Sequence, residues 1–235
     1  QANLWMMQLL LSAFIVTAFI VWQYARRKIT PPVVTVLPTE PESRQWSVFK
    51  EKVRMSAQQP MSLVIVLPRQ RAALQRKYGR RIVSELLLQV QQALPSNDLK
   101  TYYSGTDMLC LAVSTADPAT ATNIQQQAEQ LLTQKLTALG AEPAVLSAEL
   151  VLHDLLGSNW HKDDLNTLAE AAWFGWYLAE QSPPTTALWR LTFAVSHPRP
   201  CEWQADNLRS DMLNAYQLQE LQISLNQQPL LPAQD

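Results

Sequence analysis

The sequence predicts an α+β domain, an antiparallel-rich sheet with helices in a βαββαβ order, preceded by one transmembrane helix. Three observations carry the prediction. The first 25 residues contain none of the 19 Lys and Arg or 20 Asp and Glu of the 235-residue chain. Further on, β-branched apolar runs alternate with amphipathic helical patterns, the alternation expected when helices pack on a sheet. Near the middle, LKTYYS and MLCLAV are parted by a short turn containing Gly105-Thr106-Asp107, which is a hairpin signal.

In chain order, Leu4 to Trp22 is apolar except for Gln8, Ser12 and Thr17. At about 1.5 Å per residue the run spans about 28 Å, close to a bilayer core. Trp5 at one end and Trp22 and Tyr24 at the other suit the two interfaces. A buried soluble helix is rarely uncharged for so long. A cleaved signal peptide would carry its basic residues before the apolar run and small residues at a cleavage site after it. Arg26, Arg27 and Lys28 instead follow the run, so the positive-inside rule puts the rest of the chain in the cytoplasm. Residues 1–28 therefore read as an anchor. Residues 29–43, with Pro31, Pro32, Pro38 and Pro41, read as an extended spacer.

From Arg44 to Gln59, Trp46, Phe49, Val53 and Ala57 fall on one helical stripe, and Pro60 ends it. Residues 62–67, SLVIVL, form a continuous apolar run that suits a strand covered on both faces. A basic stretch leads to Tyr78-Gly79, and Arg80 to Leu94 is a helix with Ile82, Leu86, Val90 and Leu94 in register. After the hairpin, residues 118–139 read as helix, 144–153 as strand, and 163–181 as helix capped by Asp163 or Asp164 and stopped by Pro183 and Pro184. Residues 188–195 make the expected last strand, 204–222 a last amphipathic helix, and NQQPLLPAQD a loose tail. The domain is thus expected over 44–197, a ferredoxin-like sheet with helices, with 198–235 as an extension.

A net charge of -1 argues against a nucleic-acid-binding domain, which needs clustered excess cations. Two cysteines, Cys110 and Cys201, are too few for a disulfide scaffold, and Cys110 in a strand reads as buried and inert. His153-Asp154, His161 and His197 lack the spacing of a metal site, and no Ser-His-Asp or Cys-His signature is present, so neither a metal nor a cofactor is expected.

The hairpin turn Ser104-Gly105-Thr106-Asp107-Met108 after Tyr103, Tyr78-Gly79 before a helix, and Ala172-Trp173-Phe174-Gly175-Trp176-Tyr177-Leu178-Ala179-Glu180 together resemble the GGDEF domain of diguanylate cyclases. In that family the turn is Gly-Gly-Asp/Glu-Glu-Phe, a Tyr-Gly-His segment opens the second helix, and the late helix reads Ala-Asp-x-Ala-Leu-Tyr-x-Ala-Lys. The resemblance covers residues 44–195, and none of its motifs is intact. It implies metal-ligand positions at Leu67 and Thr106, neither of which offers the carboxylate that Mg²⁺ requires. The guanine-reading positions fall at Gln75 and Arg76, and the late-helix Lys has become Glu180, which repels phosphate. The product-binding Arg-x-x-Asp stretch reads Pro95-Ser96-Asn97-Asp98 and has lost the arginine that clamps phosphate, which argues against cyclic di-GMP binding there.

The resemblance implies an inactive diguanylate cyclase homologue at the bacterial inner membrane. It would be a single-pass interaction or regulatory module in cyclic di-GMP signalling, biofilm exopolysaccharide secretion or other envelope machinery. Two alternatives stay open: a nucleotide receptor without catalysis, and a structural subunit of a membrane secretion complex. Arg69, Arg71, Gln75, Arg76 and Asp98 are the candidate ligand or partner contacts. The basic stretch Arg69, Arg71, Arg76, Lys77, Arg80 and Arg81 reads either as a solvated helix face or as a surface for phosphate or an acidic partner. The cluster Trp173, Phe174, Trp176 and Tyr177 is wider than one helical stripe, so part of it is expected in the core, while a late helix apolar nearly all round also offers a second face to a partner. The last helix, with Leu208 and Met212, reads either as a cap on the sheet or as part of that partner surface.

Overall fold

Met61–Pro68 forms strand β1, and all eight of its residues are buried. Met61, Leu63, Ile65 and Leu67 join one apolar cluster, Val64 and Val66 another. This is the period-two division of a strand covered on both faces. The computed structural model describes residues 44–56, 60–95, 99–104, 107–114, 118–181, 183–196 and 208–231. The expected anchor (1–28) and spacer (29–43) lie outside the described residues, among which no helix is long and apolar enough to cross a membrane.

The elements are α1 (Arg44–Ser56), β1, α2 (Arg71–Tyr78), α3 (Ile82–Ala93), β2 (Leu99–Ser104), β3 (Leu109–Ser114), α4 (Pro118–Ala138), β4 (Val145–Val151), α5 (Leu152–Leu156), α6 (Asp164–Gln181), β5 (Leu188–Val195), α7 (Leu208–Gln217), β6 (Leu221–Leu225) and β7 (Gln228–Leu230). The architecture is α+β. One mixed sheet of seven strands runs in the order β2-β3-β1-β4-β5-β6-β7. β1 lies antiparallel between β3 and β4, whereas β4 and β5 are parallel. α2 and α3 carry the chain from β1 to β2 past the intervening β3, and α4 carries it from β3 to β4 past β1. The first four strands are therefore two interlocked split βαβ units.

One face of the sheet is covered by α3 through Val83, Leu87 and Val90, by α4 through Ile124, Ala128 and Leu132, and by Leu74 of α2. The opposite face is covered by α1, α5, α6 and α7. The stripe expected on α1 is the buried one, with Trp46, Phe49 and Val53 inside and Lys50 beside them; Ala57 lies outside the described residues. α1 is fastened to the start of α6 by directional contacts. Trp46 Nε1 donates to Asn166 Oδ1 at 2.7 Å, Lys50 Nζ meets Asp163 at 2.6 Å, and Lys162 Nζ meets Glu51 at 2.9 Å.

Most of the basic stretch after β1 lies in helix α2, in which Leu74 is buried, in keeping with the solvated helix face that is one of its two readings. Three other expectations are corrected. β4 ends at Val151, and the chain turns at once into α5, which closes at Gly157 with φ 71°. The boundary expected at residue 197 is absent from the sheet, because β6 pairs antiparallel with β5. The last helix, expected over 204–222, ends at Gln217, and β6 starts at Leu221 within that range, while the expected loose tail supplies β7. Asn226 and Gln227 make the two-residue turn between them with φ of 50° and 69°, the geometry that suits a tight hairpin. The Asn226 side chain accepts from the Arg190 N–H at 2.9 Å and donates to the Leu188 carbonyl at 3.0 Å, which ties this turn to β5.

Candidate functional site

The end of β1, the start of α2 and the β2–β3 hairpin meet at one place. Leu109 is the register partner of both Ser104 and Val66, so the hairpin opens beside the last residues of β1. Leu67 is completely buried in the apolar cluster of the α1/α6 face and offers no oxygen. Pro68 pairs with Val145, and the Arg69 N–H donates to the Ala144 carbonyl at 2.9 Å, which fixes where the chain leaves the sheet.

Two arginines leave this corner, each set against an indole and a carboxylate. The Arg69 guanidinium lies 4.9 Å from the Trp189 ring centroid and 3.2 Å from Glu142, whose other oxygen accepts from the Gln70 amide. Arg71 lies 4.4 Å from the centroid of Trp173 and 3.8 Å from Asp107 of the hairpin. Guanidinium stacked on an indole face gains cation–π attraction while keeping its edge for hydrogen bonds. Burial draws the Arg71 pKa down, and Asp107 opposes this only in part. Arg71 stays charged, and its ion pair with Asp107 is long, at 3.8 Å.

The expected site residues separate into three groups. Arg69, Arg71, Asp107 and Met108 gather at this corner, with Met108 packed against the core. Gln75 is half-buried and Arg76 exposed further along α2. Ser104 is the last residue of β2, whereas Asp98, Gly105 and Thr106 lie outside the described residues. The expected partner surface needs correction. Trp176 is 2% exposed and Met212 0%, so both are interior, while Trp173 and Tyr177 are half-buried; Leu208 begins α7. The second apolar face of α6 is covered by this chain's own elements. Phe174 packs edge-on against Tyr216 of α7, and a Cβ at Gly175 would stand 2.7 Å from Leu191 Cδ1.

Glu142 and Trp189 were not singled out in the sequence, and no local motif marks them; only the fold brings them to Arg69. Beside them, a shallow cleft of about 170 Å³ lies between α2 and the α4–β4 loop, lined by Gln70, Lys77, Tyr78 and Glu142. It is smaller than the ~300 Å³ at which small-molecule pockets begin. Among the described residues no group of three or more His, Cys, Asp or Glu could hold a metal ion. Cys110 is buried, and desolvation pushes its thiol far above its ordinary range. The corner can therefore hold cations against aromatic faces and offer an anion partial compensation. Among its described residues no general base stands beside a nucleophile and no two carboxylates are paired. No family model matches the chain, and no curated protein matches it.

Proposed function

We propose that the chain is a membrane-anchored, catalytically inactive GGDEF-like domain. It acts as an interaction or regulatory module in cyclic di-GMP-related signalling, exopolysaccharide secretion or envelope machinery of the bacterial inner membrane. The observation that carries the reading is the corner itself. Leu109 pairs with both Ser104 and Val66, and Asp107 reaches Arg71 across the gap. A hairpin turn beside the end of the first strand of a ferredoxin-like sheet is the arrangement in which that family assembles its catalytic turn. Here the strand end is Leu67, and Arg69 and Arg71 are engaged by Glu142, Asp107 and two tryptophans. Such a corner supports recognition better than phosphoryl transfer. Anchoring rests on the uncharged first 25 residues and the cations that follow them.

The test is cyclase activity of the full chain in detergent with GTP and Mg²⁺ or Mn²⁺. No cyclic di-GMP above a protein-free blank is expected, and turnover would overturn the proposal. Alkaline carbonate extraction should leave the chain in the membrane pellet; release into the supernatant would remove the anchor. The second reading, a nucleotide receptor, has one feature in its favour, the half-buried Arg71, whose ion pair with Asp107 is as long as 3.8 Å. Saturable heats with GTP or cyclic di-GMP in calorimetry, abolished by Arg71→Gln, would move the assignment to it.

A further inference from the structure

Residues 69–81 hold six of the 19 basic residues of the chain and no acidic one. The fold divides the six. Arg69 and Arg71 turn into the corner and meet Glu142 and Asp107. Arg76, Lys77, Arg80 and Arg81 are exposed at the end of α2 and the turn into α3. Among the described residues none of these four forms an ion pair, and the only ring contact is Lys77 Nζ 4.8 Å from the Tyr78 centroid. Glu85, the one acidic residue between 69 and 94, stands a turn further on and pairs with none of them. The turn is held firmly: Tyr78 Oη donates to the Leu139 carbonyl at 2.9 Å, and the Gly79 N–H donates to Gln75 O at 3.0 Å. Four cations are thus presented together on a fixed surface, within a chain whose net charge is -1.

We propose that this surface docks the domain on the anionic leaflet of its own membrane. The inference rests on the anchoring proposed above. The 15 residues 29–43, if extended at about 3.1 Å per residue as their prolines lead one to expect, would reach about 45 Å and would not by themselves orient the domain. Cations near an anionic lipid surface each strengthen partition about fivefold. Four of them give weak binding to the free domain, and tethering turns weak binding into a standing contact by raising the effective concentration. The docked face is the α2–α3 turn.

Residues 44–235 form one unit by themselves, and both apolar clusters are built from residues of that unit, so it can be tested without the anchor. The experiment is co-sedimentation of residues 44–235 at about 0.1 M salt, where charges are screened beyond about 10 Å. The vesicles are phosphatidylcholine alone or with one-third phosphatidylglycerol. Binding is expected only to the mixed vesicles. R80Q/R81Q should lower it about 20-fold, while R44Q/K52Q, an equal charge change on α1, should lower it less than about threefold. Equal binding to both vesicle types, equal effects of the two variants, or tighter binding to random duplex DNA at the same salt would each overturn the proposal. If the full chain is released by carbonate while the free domain still binds mixed vesicles, the anchor alone has failed.

Discussion

Both faces of the sheet carry an apolar cluster, but over β4 they are closed by different means, and that strand displays both within seven residues. Leu146, Ala148 and Leu150 point to the face covered by α1, α6 and α7 and join its apolar cluster. Ser147 and Glu149, between them, point to the face covered by α4 and meet polar groups there. Gln125 Nε2 donates to Ser147 Oγ at 2.7 Å, and Thr122 and Ser62 donate to Glu149 at 3.3 Å each. Beyond them, Arg190 of β5 grips Glu129 of α4 through two nitrogens, one at 2.9 Å. An open groove of about 350 Å³, rimmed by Gln126, Gln130 and Gln134, follows on that side. The contrast teaches where α4 gets its position. Over β3 and β1 it is held by non-directional apolar burial, and over β4 and β5 by bonds whose donors and acceptors must match.

The contrast can first be tested by breaking the apolar side. Leu150 is completely buried opposite Leu63, so Leu150→Ala should cost about 3–4 kcal/mol through lost transfer energy and a residual cavity. Urea unfolding monitored by tryptophan fluorescence reads this directly. A loss under about 1 kcal/mol would mean that the face is loosely packed, against the burial described.

On the polar side, Arg190→Ala leaves Glu129, whose side chain is 4% exposed, without its bidentate partner. An uncompensated buried carboxylate is costly, and the partial exposure of Arg190 tempers the effect to about 2–3 kcal/mol. Replacing both partners, as in E129L/R190M, should return the protein to within about 1 kcal/mol of the wild type. If the double variant is as unstable as the single one, the network fixes the fold by more than mutual compensation.

The apolar contacts of both faces were far more legible in the sequence than the polar network between α4, β4 and β5. SLVIVL, the hairpin flanks and the stripe Ile82, Leu86, Val90 announce themselves because burial imposes a period on consecutive residues. The pairs Arg190–Glu129 and Arg69–Glu142 join residues 61 and 73 positions apart, and no local spacing encodes them. That Leu67 brings no carboxylate to the end of β1 was readable, but the tryptophans set against the arginines were not. Trp176 and Met212 read as either core or partner-facing, because an all-apolar helix suggests an unfilled face; the structure has them in the core. In the fold that face is filled from downstream, by β6 and α7, after the point where the sheet was expected to end. β6 and β7 escaped notice because their turn, Asn226-Gln227, takes positive φ without a glycine to mark it.

The smallest effect separates the faces by pH. Glu149 is half-buried, and desolvation raises its pKa above the ordinary 4.5 despite opposing hydrogen bonds from Thr122 and Ser62 and the charge of Arg190. The folded state therefore binds this proton more tightly than the unfolded chain does. Its contribution is fully present below pH 4.5 and is lost as pH rises through the raised folded value. On the other side of the sheet, the hydrogen bond from Lys50 lowers the Asp163 pKa below its ordinary 3.8. Its contribution is present above pH 3.8 and is lost as pH falls through the lowered folded value. Stability measured by urea titration from pH 2.5 to pH 8 should thus contain two opposite limbs. Glu149→Gln, which keeps an acceptor for Ser62 or Thr122, should flatten the limb above pH 4.5 and leave the acid limb intact. Asp163→Asn should flatten the acid limb and leave the other. Parallel profiles for wild type and Glu149→Gln above pH 4.5 would mean that Glu149 is as well solvated as in the unfolded chain, and that the polar face is open to water where it is described as closed.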